Sequence, residues 1–207
     1  MQLKQEATVI SADGKDVGRL ARVVIDPRSN EITHIVVHRG LLFTEDKLVP
    51  ISLVAAGTED RVTLRDAAKD LTTLTDFEEM HFIPTNNEDT PFYPMGQAPA
   101  LYWYPPVGAP ILPPPITETT ENIPEGTIAL REGAQVITAE GESVGTIEQI
   151  LTDPLADRVT HFLISQGLLF PEKKLIPMSW VSEVNEDEVR LAVGKRTLEN
   201  LQHYYAH

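Results

Sequence analysis

The chain has 207 residues, no cysteine, and 31 acidic against 17 basic side chains, for a formal net charge of −14. This length suits one or two domains. The charge excludes a nucleic-acid binder that relies on a basic face, disfavours an anionic membrane surface, and suits plain solubility. Without cysteine there are no disulfides and no thiolate sites, and the redox compartment stays open. The start shows no charged-then-apolar leader. No apolar run approaches the ~20 residues of a membrane-spanning helix. The expectation is a soluble cytoplasmic protein.

Residues 8–12 predict a short strand, and Asp13-Gly14 a hairpin turn in which glycine relieves the cost of positive φ. Residues 17–25 are too short and β-rich for a helix and predict a second strand. Gly18 within it suggests a bulge or a close backbone approach. Asp26-Pro27-Arg28-Ser29 fits a type I turn. Residues 32–37, I-T-H-I-V-V, form the strongest strand, nearly continuous and β-branched. Such a run is buried on both faces or lies in a closed barrel. Gly40 ends it. Further short strands are expected from Lys47 to Pro50, from Ser52 to Val54 and from Val62 to Leu64, the last two flanking a turn at 58–61. Five or six short strands with tight turns point to a small β-barrel. A helical turn should close it, capped by Asp70, with Leu71, Leu74 and Phe77 on one face.

The same pattern returns at a fixed offset of 127 residues. The stretch I-T-H-I-V-V-H-R-G-L-L-F-T-E-D-K-L-V-P at 32–50 is matched by V-T-H-F-L-I-S-Q-G-L-L-F-P-E-K-K-L-I-P at 159–177. The register runs without a gap from Ala7/Ala134 to Phe77/Tyr204, through Gly18/Gly145, Thr33/Thr160 and His34/His161. A second closing helix is expected with Thr197 as its cap and Leu198, Leu201 and Tyr204 on one face. Two copies this far apart are a domain duplication rather than a solenoid. The expected organisation is a first repeat at 1–83, a linker at 84–124 and a second repeat at 125–207.

The linker holds 11 of the 16 prolines, with Phe92, Tyr93, Tyr102, Trp103 and Tyr104, and no Lys or Arg occurs from Asp70 to Leu130. Prolines impose an extended path with few ladder bonds. Its aromatic clusters suggest docking on a barrel or exposure as a recognition segment, with plain disorder the third reading.

The runs V-I-S-A-D-G-K-D-V-G, D-P-R-S-N-E-I-T-H-I-V-V and G-L-L-F-T-E-D-K-L-V-P-I-S-L-V, with their second copies, resemble the PRC-barrel family. That family includes the cytoplasmic domain of the photosynthetic reaction-centre H subunit and the C-terminal domain of a ribosome-maturation factor. The resemblance covers both repeats and not the proline segment. It implies a compact β-barrel acting as a protein-interaction module, and no catalytic residues to carry over. The H subunit has a membrane anchor and the ribosome factor an RNA-facing domain; this chain has a second barrel instead.

Site chemistry is sparse. His34 and His161 are the only metal or proton-site candidates, provided that a pseudo-twofold axis brings them together. Zinc needs three or four ligands, and no nearby spacing supplies the rest. Otherwise they are strand histidines. His203 and His207 read as a surface tail. The pairs Glu45/Lys47 and Glu172/Lys174 read first as exposed ion pairs of little energetic weight, and second as a pair across the barrel interface. Ser52 and Ser179 lack a nucleophile elbow and read as turn or cap hydroxyls. No phosphate loop, dinucleotide fingerprint or H-E-x-x-H motif occurs.

The expected fold is therefore all-β with short terminal helices: two small PRC-type barrels packed as a pseudo-twofold pair. A duplication of this kind fuses what was a homodimer. The expected function is a non-enzymatic scaffold with an unidentified protein partner and no cofactor, nucleic acid or membrane span. Its interaction surface is expected at Leu41, Leu42, Phe43, Leu168, Leu169, Phe170, Tyr102, Trp103 and Tyr104, and the G-L-L-F segments and closing helices are also the expected inter-barrel contact. The alternative is a small-ligand or metal-ion binding protein with its site between the barrels. RNA work is a distant third.

Overall fold

The computed structural model describes residues 1–4, 6–39, 45–65, 71–83, 116–131, 133–153, 155–166 and 172–201. The first half holds β1 (Gln2–Lys4), β2 (Thr8–Ile10), β3 (Asp16–Asp26), β4 (Glu31–Arg39), β5 (Glu45–Pro50), β6 (Val54–Gly57) and β7 (Arg61–Leu64). Next come β8 (Glu78–Ile83) and β9 (Ile116–Glu121). The second half holds β10 (Ile128–Arg131), β11 (Gln135–Ile137), β12 (Ser143–Asp153), β13 (Arg158–Gln166), β14 (Glu172–Pro177), β15 (Val181–Val184), β16 (Glu188–Leu191) and helix α1 (Lys195–Glu199). Each strand from β11 to β16 starts and ends 127 residues after its mate among β2 to β7.

Within each repeat the chain forms one strongly bent sheet. Its order is β6-β7-β2-β3-β4-β5 in the first repeat and β15-β16-β11-β12-β13-β14 in the second. The β2–β7 and β11–β16 pairings are parallel and the rest antiparallel. Among the described residues no ladder joins β5 to β6. A 3-10 turn, Ile51–Leu53, carries the chain across that corner, and Met178–Trp180 does so in the second repeat. Ser52 and Ser179 lie in these turns rather than in strands, because Pro50 and Pro177 end the preceding ladder.

The repeated residues mark where the sheet bends. β3 meets β4 with a register shift between Leu20 and Arg22, leaving Ala21 as a bulge; β12 does the same at Glu148. A second shift leaves Thr33 and Thr160 unpaired. Their hydroxyls donate to the carbonyls of Val24 at 3.4 Å and Leu151 at 3.1 Å, occupying acceptors beside the interrupted ladder. Gly18 has φ +147°, and a Cβ there would collide with the carbonyl oxygen of His38; Gly145 stands likewise against Ser165. The close approach expected at Gly18 is present, beside a bulge between Val9 and Ile10.

One apolar cluster runs through both repeats. It joins Leu20, Ile35 and Val49 of the first to Ile147, Phe162 and Ile176 of the second, with Leu3 and Leu130 among its members. A smaller cluster of Val24, Val36, Leu48, Phe77 and Ala129 covers the other face of the first repeat. β4 is thus buried on both sides, Ile35 and Val37 facing one cluster and Val36 the other.

The closing segments depart from expectation. Leu71–Thr73 is a single 3-10 turn, not a longer helix. Leu71 and Leu74 belong to the large cluster, whereas Phe77 lies in the small one, so the three do not share a helix face. The cause is main-chain pairing: Leu48 N–H donates to Thr75 O, and Phe77 N–H to Asp46 O, so the segment runs as a short strand along β5. In α1 the N-cap is Gly194, and Thr197 lies inside the helix. The first closing turn lies against β5 of its own repeat, and in the second Lys174 Nζ donates to Leu198 O at 3.1 Å.

By contact density the chain forms two compact units, Met1–Phe77 with Asn122–His207, and Glu78–Glu121. Both repeats share the first. In the second, β8 pairs antiparallel with β9 over six residues, from Glu78↔Glu121 to Ile83↔Ile116. Residues 78–83, expected in the first repeat, belong to this ribbon. The run I-T-E-T-T-E at 116–121, expected in a ladder-poor linker, forms a full ladder because it is proline-free and rich in β-branched residues.

Candidate functional site

The two repeats meet along a seam of exchanged strands. β1, which precedes the first repeat, pairs with β12 of the second, Leu3 opposite Ile150. β10, which precedes the second, pairs with β3 of the first, Leu130 opposite Val23. These are the same pairing shifted by 127 residues, the signature of a twofold relation. β3 is long enough for this because its outer edge is divided: β2 takes Asp16 to Arg19, and β10 takes Arg22 to Ile25.

The pseudo-twofold axis passes between Glu31 and Arg158, equivalent positions that face each other where β4 meets β13. Arg158 grips one carboxylate oxygen of Glu31 through Nη2 at 2.8 Å and Nε at 3.2 Å. Both side chains are half-exposed. Two reciprocal backbone bonds flank them, Ile32 N–H to Asp157 O at 2.8 Å and Val159 N–H to Asn30 O at 2.9 Å. Asn30 and Asp157 have φ of 59° and 48°, a left-handed conformation that Asn and Asp tolerate best among non-glycine residues.

The seam is less symmetric away from the axis. Arg22 of β3 is largely buried, lies 4.9 Å over the Phe77 ring, and reaches Glu186 of the second repeat at 3.3 Å. Its mate, Gln149, is buried and donates to the side chain of Gln2 at 3.2 Å. Beside Arg22, the segment 185–188 walls an open cleft of about 460 Å³ with Ile123, Thr127 and Ile128. Its carboxylates already hold cations: Glu186 holds Arg22, Asp187 holds Arg131 at 3.5 Å and Glu188 holds Arg190 at 3.0 Å.

The axis carries His34 and His161 apart. Each lies three residues beyond the axial pair, on strands running in opposite directions. At ~3.3 Å per residue they stand roughly 20 Å apart along the strands. Among the described residues no group of three His or carboxylate side chains is placed to hold a metal ion. His34 sits between Val24 and Pro50, and its Nδ1 is buried without a hydrogen-bond partner. Burial holds its pKa below the ordinary histidine value.

Two polar contacts were not legible in the repeat pattern. His38 Nδ1 lies 2.5 Å from Asp46 Oδ1, across the β4–β5 ladder. The second repeat has Ser165 and Lys173 there, so duplication does not flag the pair. Lys47 is buried, and its Nζ donates to Asp76 at 2.5 Å. Lys47, expected in an exposed pair, is thus buried and turned to the closing segment, which the main-chain bridge Lys47↔Asp76 brings alongside.

Leu41, Leu42, Phe43, Leu168, Leu169, Phe170, Tyr102, Trp103 and Tyr104 lie outside the described residues, as do Asp70, His203, Tyr204 and His207. Among the described residues no helix is long and apolar enough to cross a membrane.

Two bent sheets related by a duplication, joined through exchanged strands, define a tandem small-barrel protein. The model of the PRC-barrel domain matches residues 5–71 and 131–195, more than half of the chain, and the chain belongs to that family. Comparison with curated proteins gave no match.

Proposed function

We propose that this protein is a non-enzymatic interaction module: a fused pair of PRC barrels that serves as a platform for a recognition arm, residues 78–121. One observation carries the reading. The arm leaves and re-enters the barrel pair at one point, where Asn122 N–H donates to Phe77 O at 2.8 Å and the Asn122 side chain donates to Asp76 O at 2.9 Å. The chain is thus already joined at the base of the arm, and the β8–β9 ribbon falls in a unit separate from both repeats.

The arm's chemistry suits recognition. It is rich in proline and aromatic residues, carries acidic groups and lacks Lys and Arg. Proline-rich segments favour the extended polyproline form, which aromatic-lined grooves read at low entropic cost. A partner with such a groove and a basic rim fits best.

The test is capture from host lysate with two tagged baits: the full chain, and a chain in which a short turn replaces 78–121. A protein held in fixed ratio by the first and lost by the second supports the reading. Equal capture by both moves binding to the barrels, and no stoichiometric partner for either removes the scaffold role.

A further inference from the structure

We infer that Glu31 and Arg158 are the specificity key of the seam, directing each first repeat to pair with a second repeat and against pairing with its own kind. At a true twofold axis a residue meets its own copy. Here the axial position carries a carboxylate in one repeat and a guanidinium in the other, bonded at 2.8 and 3.2 Å. A first repeat meeting another first repeat would set Glu31 against Glu31, and two second repeats would set Arg158 against Arg158.

The apolar part of the seam does not make this distinction. The leading strands read Gln2-Leu3-Lys4 and Ala129-Leu130-Arg131, and each sets a leucine opposite a β-branched residue, Ile150 or Val23. The leucine contact by itself does not tell one edge from the other. A chain with two self-complementary barrels that paired like with like would extend from copy to copy without closing. Opposite charges on the axis favour the closed, single-chain arrangement.

The test uses the full chain in three forms: the parent, E31Q/R158Q, and the exchanged pair E31R/R158E. Each is unfolded in denaturant and refolded by rapid dilution at low and high protein concentration. Mass is then read by size-exclusion chromatography with light scattering. The parent and the exchanged pair should return as single chains. E31Q/R158Q, in which all three pairings look alike at the axis, should put a severalfold larger fraction of its mass into dimers and longer species at high concentration. The parent refolded at 1 M salt, where screening acts within about 3 Å, should approach the E31Q/R158Q distribution. The inference is overturned if E31Q/R158Q matches the parent at every concentration, if the exchanged pair misassembles as E31Q/R158Q does, or if salt leaves the parent unchanged.

Discussion

Arg22 and Glu186 belong to different repeats and meet at 3.3 Å, with the guanidinium carbon of Arg22 4.9 Å from the centre of the Phe77 ring. Arg22 is the largely buried partner and Glu186 is half-exposed. Most of its worth should therefore come from the covered side-chain stem and the ring contact rather than from the ion pair. Arg22→Ala should cost about 1–3 kcal/mol in chemical denaturation, and Glu186→Gln less than about 1 kcal/mol. A double-mutant cycle giving a coupling above that range would place the energy in the ion pair instead.

Replacing residues 78–121 with a tight turn should leave the barrel pair folded. Its ends are already hydrogen-bonded, and shortening the connection lowers the closure entropy by up to about 2 kcal/mol. The expected outcome is an unchanged or higher midpoint of thermal unfolding. A molten or aggregated product would show that the arm is part of the fold.

The glycines separate into two kinds. Gly14 and Gly141 have φ of +83° and +84° with open space around them, so alanine there should cost on the order of 1 kcal/mol. Gly18 and Gly145 combine positive φ with a carbonyl oxygen where a Cβ would stand. Backbone has no rotamer with which to step aside. Gly18→Ala and Gly145→Ala should each cost about 3 kcal/mol or more. Equal midpoints for Gly14→Ala and Gly18→Ala would refute this contrast.

His34 should make stability depend on pH. Burial disfavours its charged form, so the folded chain holds that proton more weakly than the unfolded chain, whose histidine titrates near 6.5. The contribution is intact above pH 6.5. It declines as pH falls, because the unfolded chain takes up the proton first. His34→Leu should abolish that slope, which is at most one proton's worth, and leave stability at pH 8 equal or higher, since an unpartnered buried nitrogen is removed. Asp13 titrates elsewhere: hydrogen bonds from Ser11, then Lys15, hold its pKa at about 2. Its contribution is therefore lost between pH 3.8 and about 2, clear of the histidine window. Denaturation at pH 8 and 5.5 reads the difference.

The strands were legible because their signals are local. Alternation, β-branching and Asp-Gly or Asp-Pro turns set β2 to β4, and the 127-residue offset carried them to β11 to β13. Gly18 announced its close approach because no other residue type fits there. What stayed hidden depends on pairing at long range. Gln2-Leu3-Lys4 and Ala129-Leu130-Arg131 are three-residue partners whose strands lie in the opposite repeat, and nothing local says so. Leu71, Leu74 and Phe77 fit a helix by spacing, yet the β5 edge claimed the backbone of 75–77. Glu31 and Arg158 stayed hidden because a repeat shows itself through identical residues, whereas their role lies in being unlike.

The exchange of β1 and β10 also sets a timetable for synthesis. When β3 leaves the ribosome, its edge from Arg22 to Ile25 waits for a strand roughly 100 residues downstream, so about 5–20 s pass before β10 arrives. β1 waits longer, for β12. A nascent first repeat therefore carries an open edge and a loose leading strand, both of which a chaperone can hold.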